Sequence, residues 1–265
     1  MSRTFLVMAA AAALVASAAV SSPAAATSLD VMSYNINWGA PSGKRLPSIA
    51  KVIASSGADV AGLQQVRRFT RVAKKGNYRC EDQPARLVRE LERITGDNWY
   101  STFAANGSTR QSSRHCKSVT SRPRQEGVLI VSRYPIVGKA SYKLPYKRSV
   151  AKAVVKVPGA GRVTVYTVHL DSFSGGKRAT QARQVARIVR SGGGPTFLTG
   201  DMNDQPRDTP VRILKGVVRD AGGAATRNSK IDYVMYRGGA DLQSVRVIQN
   251  WTSDHRPIVA RFRVD

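Results

Sequence analysis

Polar residues with chemical capacity stand where apolar runs of this sequence stop or start: Asn35, Gln65, His169, Asp201 with Asn203, Asp232, and Asp254 with His255. Asp201 and Asn203, in Gly200-Asp201-Met202-Asn203, are two apart and share one face of an extended chain. A carboxylate and an amide so placed can hold a water and a phosphoryl oxygen. Histidine changes charge near neutrality. Of the three histidines, His169 and His255 adjoin acids, in His169-Leu170-Asp171 and Asp254-His255, whereas His115 lies in a basic stretch beside Cys116. Asp232 is placed to orient His255, since a carboxylate behind an imidazole fixes its tautomer and favours the charged form. Asp254 suits a hard cation. Such a set can move protons and hold a hard cation beside a bound water or a phosphoryl oxygen. Taken singly, Gly-Asp-x-Asn and Ser-Asp-His are also ordinary turns.

These residues need a rigid frame. Leu29 to Asn37 reads as a strand, Asp59 to Val66 as a short apolar strand, and Leu46, Ile49, Val52 and Ile53 between them as one helical face. Leu87, Val88, Leu91 and Ile94 mark a second helix, closed by Gly96. Strand signals recur at Gly127 to Ser132, Ala151 to Val157, Val163 to His169, Thr196 to Thr199, Ile231 to Tyr236 and Pro257 to Val264. Ala182, Val185, Ala186 and Val189 form another amphipathic helix, and Thr209 with Pro210 reads as the N-cap and first residue of a short one. The stretch from Ala105 to Arg124 lacks periodicity and reads as a long basic loop. Strands alternate with helices, yet several strands are adjacent with short connections. That pattern predicts mixed sheets covered by helices.

In order, the motifs Ser33-Tyr34-Asn35-Ile36, Leu63-Gln64-Gln65-Val66, His169-Leu170, Gly200-Asp201-Met202-Asn203 and Ser253-Asp254-His255 resemble the endonuclease/exonuclease/phosphatase superfamily. The resemblance implies a four-layer α/β sandwich of two mixed sheets flanked by helices, of the DNase I type. It implies that Asp201 acts on the attacking water, that Asn203 and His255 contact the phosphate and His169 the phosphate or the leaving group, and that Asp232 pairs with His255. Asn35, Gln65 and Asp254 would lie at a divalent metal, Mg²⁺ first, with Mn²⁺ or Ca²⁺ as alternatives. Glu126 matches a glutamate that pairs with the histidine of the "HL" motif. The departure is Gln65, where the family carries a glutamate that is a principal Mg²⁺ ligand. Magnesium sites use one or two carboxylates, so the change implies weaker binding. The other glutamates, Glu81, Glu90 and Glu92, lie outside the motif.

Composition frames the setting. The chain has 265 residues and is 42% hydrophobic, enough for a real core. Arg3, an uncharged Ala/Leu/Val run and Ala24-Ala25-Ala26 read as a secretory signal over residues 1–26, leaving one domain over 27–265 and no stable membrane span. Cys80 and Cys116 fit neither a redox nor a zinc spacing and are expected to form a disulfide in an oxidising exterior. With 42 Lys+Arg against 17 Asp+Glu the net charge is +25, which attracts polyanions. The expected protein is a secreted, monomeric, metal-dependent phosphodiesterase whose partner is a polyanion, nucleic acid first. Arg67-Arg68 and the loop residues Arg110, Arg114, Lys117, Arg122 and Arg124 fit that substrate. The alternatives are a sphingomyelinase or phospholipase C-like enzyme acting on phospholipid, for which the sequence offers no clear apolar hairpin, and a catalytically weakened basic binding protein.

Overall fold

Apolar runs far apart in the chain pair as neighbours in space. A computed structural model describes residues 27–39, 45–74, 77–106 and 125–265. In chain order the elements are β1 (Thr27–Asn35), α1 (Leu46–Ser55), β2 (Val60–Arg68), β3 (Thr70–Lys74), β4 (Asn77–Glu81), α2 (Gln83–Thr95), β5 (Tyr100–Ala105), β6 (Gln125–Ser132), β7 (Ile136–Leu144), β8 (Arg148–Val157), β9 (Gly161–His169), α3 (Gly175–Arg190), β10 (Thr196–Asp201), α4 (Thr209–Lys215), β11 (Arg219–Asp220), β12 (Asp232–Arg237), β13 (Ala240–Val247) and β14 (Ile258–Val264).

Two six-stranded sheets result, one in the order β13-β14-β1-β2-β6-β5 and the other β11-β12-β10-β9-β8-β7, with a separate β3-β4 ribbon. Each has one parallel pair, β1 with β2 and β9 with β10, among antiparallel neighbours. A parallel pair needs a crossover, and α1 and α3 lie in those two connections. Three apolar layers hold the stack together. Val31, Val60 and Ile130 of one sheet meet Val155, Val165 and Phe197 of the other. Ile49, Ile53, Leu87 and Leu91 of α1 and α2 cover the first sheet, and Val185, Val189 and Leu214 of α3 and α4 cover the second. This is the helix–sheet–sheet–helix sandwich expected from the motif order.

Close approach of the sheets depends on Gly62. A methyl group there would lie 1.9 Å from Thr199 Oγ1 and 2.7 Å from Thr167 Oγ1. Just above, Gln64 Nε2 donates to Thr167 Oγ1 at 2.9 Å, spanning the two sheets with a buried polar contact.

Several details differ from expectation. The short helix α4 begins at Thr209, with Asp208 as the extended N-cap residue. The Asp208 carboxylate accepts from the Gln205 N–H at 2.8 Å instead of capping the helix. Strands β5, β7 and β13 carried no sequence signal of their own. The latter two alternate between half-buried and exposed residues, as a strand with one wet face does. Gly96 ends α2 in the left-handed region, φ 74°, as its position suggested. The signal-like segment, Cys116 and its proposed disulfide to Cys80, and the basic loop from Arg110 to Arg124 lie outside the described residues. Among the described residues, no helix is long and apolar enough to cross a membrane.

Candidate active site

The two parallel pairs point the same way into one end of the sandwich. Asn35 ends β1, His169 ends β9 and Asp201 ends β10. Ligand sites of open α/β sheets lie outside such carboxyl ends. Asp232 opens β12, opposite Asp201 in the antiparallel register. His255 and Asp254 come from the loop between β13 and β14. The first sheet thus supplies Asn35, Gln65, Asp254 and His255, and the second supplies His169, Asp201, Asn203 and Asp232.

One carboxylate oxygen is the meeting point. Asp201 Oδ2 accepts from Asn35 Nδ2 at 2.8 Å, and faces His169 Nε2 at 3.5 Å and His255 Nε2 at 3.9 Å. The other oxygen, Oδ1, accepts the Asn203 N–H at 2.9 Å. All three of Asp201, His169 and His255 are buried. His255 Nδ1 lies 2.8 Å from Asp232 Oδ2, which also accepts the Thr226 hydroxyl. That contact assigns the proton to Nδ1 and leaves Nε2 turned to the site. Asn203 gives one amide hydrogen to Leu170 O at 3.2 Å, and its backbone has φ 51°. Non-glycine residues in the left-handed region are uncommon and gather at functional sites. Asn37, Trp38 and Gln65 share that conformation at the same end of the molecule.

Burial and charge set the protonation states apart. Burial, and then the charge of Asp232, push Asp201 up to about 7, against the pull of His255, Asn35 and the Asn203 N–H. Burial, then the positive charges of Arg148 and His255, drive His169 well below the usual histidine value. Burial also acts to lower His255, but the hydrogen bond and charge of Asp232, with help from Asp201 and Asp254, raise it on balance. Titratable neighbours pushed in opposite directions are the mark of divided acid and base roles.

Gln65 sits at a break in the β2–β6 register, between Leu63 and Val66. Such bulges re-aim side chains. Its Oε1 is buried with no hydrogen-bond partner. Asn35 Oδ1 accepts only the Asn37 N–H, at 3.1 Å, among the described residues. Ser253 ties the Asp254 loop to this corner by donating to Asn35 O at 2.7 Å. Asp254 itself pairs with Arg227 at 3.2 Å. The oxygens of Asn35, Gln65 and Asp254 have the donor chemistry that a hard divalent cation takes, with less charge than a second carboxylate would bring, and the unpartnered Gln65 Oε1 is the atom that fits this role. The ligand atoms of Asp201, Asp232 and His255 also lie within 4.8 Å of one another; Asp232 Oδ2 holds His255 and Thr226, while its Oδ1 is buried with no hydrogen-bond partner.

The described contact of Glu126 is with Arg67, at 3.7 Å across β2 and β6, and not with His169. Arg67 in turn stacks on Trp38, 4.2 Å from the ring centroid. The cation beside His169 is Arg148, whose guanidinium donates to Ser172 Oγ at 3.2 Å and feels Asp171, Glu126 and Asp201. Nothing in the sequence marked Arg148 among so many basic residues, nor Thr226 behind Asp232. Arg178 is a third such residue. It holds the Asp204 carboxylate with two nitrogens and donates to Asp171 O at 3.2 Å, clamping the loops after β9 and β10 together.

Comparison with known proteins agrees with this architecture. No curated protein sequence matches the chain. Among solved structures, an endonuclease/exonuclease/phosphatase from Beutenbergia cavernae is similar, with TM-score 0.70 and 25% identity over 89% of this chain and 72% of that one. The human Nocturnin catalytic domain with bound sulfate superposes with TM-score 0.66 at 18% identity, covering 90% of this chain and 94% of that one. A mannosyl-6-phosphatase from Bacteroides thetaiotaomicron gives TM-score 0.64 at 16% identity, over 88% and 99%. The family model described as Endonuclease/Exonuclease/phosphatase matches residues 32–255, from the end of β1 through the last histidine. With the sandwich, the order of its motifs and the convergence on Asp201 in agreement, the chain belongs to the endonuclease/exonuclease/phosphatase family.

Proposed function

We propose that the protein is a divalent-metal-dependent phosphodiesterase that hydrolyses nucleic acid outside the cell. The observation that carries the reading is the convergence of Asn35, His169 and His255 on one oxygen of Asp201. An Asp with its pKa near 7 is matched to accepting a proton from water at neutral pH. Asn35 and the Asn203 N–H fix its carboxylate plane. His255, whose protonated form Asp232 favours, presents Nε2 as a donor to a phosphoryl oxygen. His169, kept neutral, adds a polar contact without a second positive charge. The second amide hydrogen of Asn203 is left for the phosphoryl group. Preorganised donors of this kind are each worth about 10²–10³ in rate. When bound by Asn35, Gln65 and Asp254, a divalent ion supplies positive charge against the charge that builds on the phosphoryl and leaving oxygens.

The net charge of +25 and the site cation Arg148 support a polyanionic substrate. The signal-like residues 1–26 support export. The test is initial-rate hydrolysis of plasmid DNA, RNA and sphingomyelin liposomes, with Mg²⁺ and with chelator, for the wild type, Asp201→Ala and His255→Ala. Chelator-sensitive cleavage of nucleic acid that falls by orders of magnitude in both variants is expected. Cleavage of sphingomyelin alone would move the substrate to lipid. Equal rates in wild type and variants would reject the site.

A further inference from the structure

Five large hydrophobic side chains are exposed among the described residues: Ile94, Val137, Tyr146, Phe173 and Trp251. Isolated exposed apolar residues are ordinary, but the three aromatic ones are not scattered. Tyr146 is in the turn between β7 and β8, two residues before Arg148. Phe173 is four residues after His169, and Trp251 four residues before His255. Four residues of extended chain reach at most about 14 Å, so both residues lie within about that distance of a histidine of the site. They also flank it. Trp251 enters from the β14 side of β1, and Phe173 from β9, on the far side of β10 from β12.

The rings are held out, not merely left out. Phe173 is 92% exposed, yet its backbone is fixed. Asp171 Oδ1 accepts the N–H of Phe173 at 3.0 Å and that of Ser174 at 2.9 Å, and Ser174 then caps α3. Trp251 is 60% exposed and carries the Arg256 guanidinium 5.0 Å from its centroid. Arg256 is itself anchored to Gln249 Oε1 at 2.7 Å. Tyr146, 51% exposed, has Lys177 at 5.2 Å from its ring. Exposed aromatic faces carried on anchored backbone and interleaved with cations near a phosphoester site have one well-matched ligand. Unpaired nucleobases stack on such faces while their phosphates meet the positive charge. A lipid surface matches less well. The neighbours of Phe173 are Asp171, Ser172 and Ser174, and those of Trp251 are Asn250 and Thr252, and burying these in hydrocarbon is costly.

We propose that Phe173 and Trp251 are base-stacking platforms on either side of the site, and that the preferred substrate is single-stranded nucleic acid. This rests on the phosphodiesterase reading above and narrows it. Bases inside a duplex already stack on each other and do not offer a free face.

The experiment is fluorescence anisotropy in chelator at one salt concentration, with three DNA probes of equal phosphate number. They are a single strand, the same strand with abasic spacers, and the duplex. Hydrolysis of the same probes is then followed in Mg²⁺. The wild type should bind the intact strand more tightly than the abasic strand and the duplex. Stacking energies per base set the scale, so Phe173→Ala and Trp251→Ala should each reduce the intact-over-abasic preference by about 5- to 150-fold. Phe173→Tyr should keep it. Because both rings are exposed, the variants should melt as the wild type does. An unchanged preference in both alanine variants, or duplex bound as tightly as single strand, overturns the inference while DNA hydrolysis by the wild type leaves the enzymatic reading intact. Lost binding to anionic phosphatidylserine vesicles with unchanged strand preference also overturns it and makes the rings a lipid anchor. Stacking without hydrolysis of any probe overturns the enzymatic reading and keeps the base platform.

Discussion

Gln65→Glu restores a carboxylate at the position where the family carries one, and its cost in stability should shrink when the metal is added. The Gln65 amide oxygen is buried and has no hydrogen-bond partner. A charge placed there without a cation is left uncompensated. An unsatisfied buried polar group costs about 1–3 kcal/mol, and a charged one more. At roughly 2–4 °C per kcal/mol for a chain of this size, the variant should melt about 2–12 °C below the wild type in chelator. A divalent ion offsets that cost. If the added carboxylate tightens binding about 10- to 100-fold, saturating Mg²⁺ stabilises the variant by about 1.4–2.7 kcal/mol more than it stabilises the wild type. The assay is thermal melting by circular dichroism at fixed protein concentration, in chelator and across a Mg²⁺ series. It needs no substrate. Equal Mg²⁺-induced shifts in the two proteins would place Gln65 away from the metal and refute the reasoning.

Other substitutions probe the remaining links. Asp232→Asn removes the charge that holds His255 in its tautomer at 2.8 Å, and should lower kcat by about 10²–10⁴ with little change in KM; initial rates equal to wild type would remove Asp232 from the mechanism. Arg148→Ala should weaken nucleic-acid binding and reduce the slope of log Kd on log salt by about 0.7–0.9, one phosphate contact; an unchanged slope would show that Arg148 does not meet a phosphate. Gly62→Ala forces a methyl group to within 1.9 Å of Thr199 Oγ1, and should cost about 1–3 kcal/mol by overpacking. Urea unfolding reads this as a lower midpoint at constant m, and a midpoint equal to wild type would mean that the sheets are not in such close contact there.

The parts of the fold that were legible in the sequence are those where local signal and burial coincide. β1, β2, β6, β9 and β10 lie within their sheets, and their apolar runs end on the polar residues that carry the motifs. The half-exposed β7 and β13 were missed because their alternation is diluted by Lys, Ser and Arg on the wet face. Asp201, His169 and Asp232 could be placed because each closes or opens such a run. Arg148 and Thr226 could not. One basic residue among 42 has no distinguishing context, and Thr226 reaches Asp232 from a loop with no periodic pattern. The pairing expected for Glu126 also went astray. Opposite Arg67 in the β2–β6 register, its carboxylate lies 3.7 Å from that guanidinium, and no contact with His169 is among those described. The left-handed backbone at Gln65 is invisible in one dimension, since nothing about glutamine announces a bulge.

The strand order has a consequence for how the protein comes into being. β14 is made after every other described strand, yet it belongs inside its sheet, between β13 and β1, with Val264 opposite Thr27. A nascent chain that has reached β12 already holds His169, Asp201 and Asp232, but not His255. The sheet bearing Asn35 also stays open along one edge of β1 until β14 arrives. Pairing across nearly the whole chain is slow to form, and an open central edge is a hazard for aggregation until it does. Until β14 slots between β13 and β1, one edge of β1 is bare and the loop bearing Asp254 and His255 is not yet held against Asn35. The site is complete only when β14 has taken its place in the middle of the first sheet.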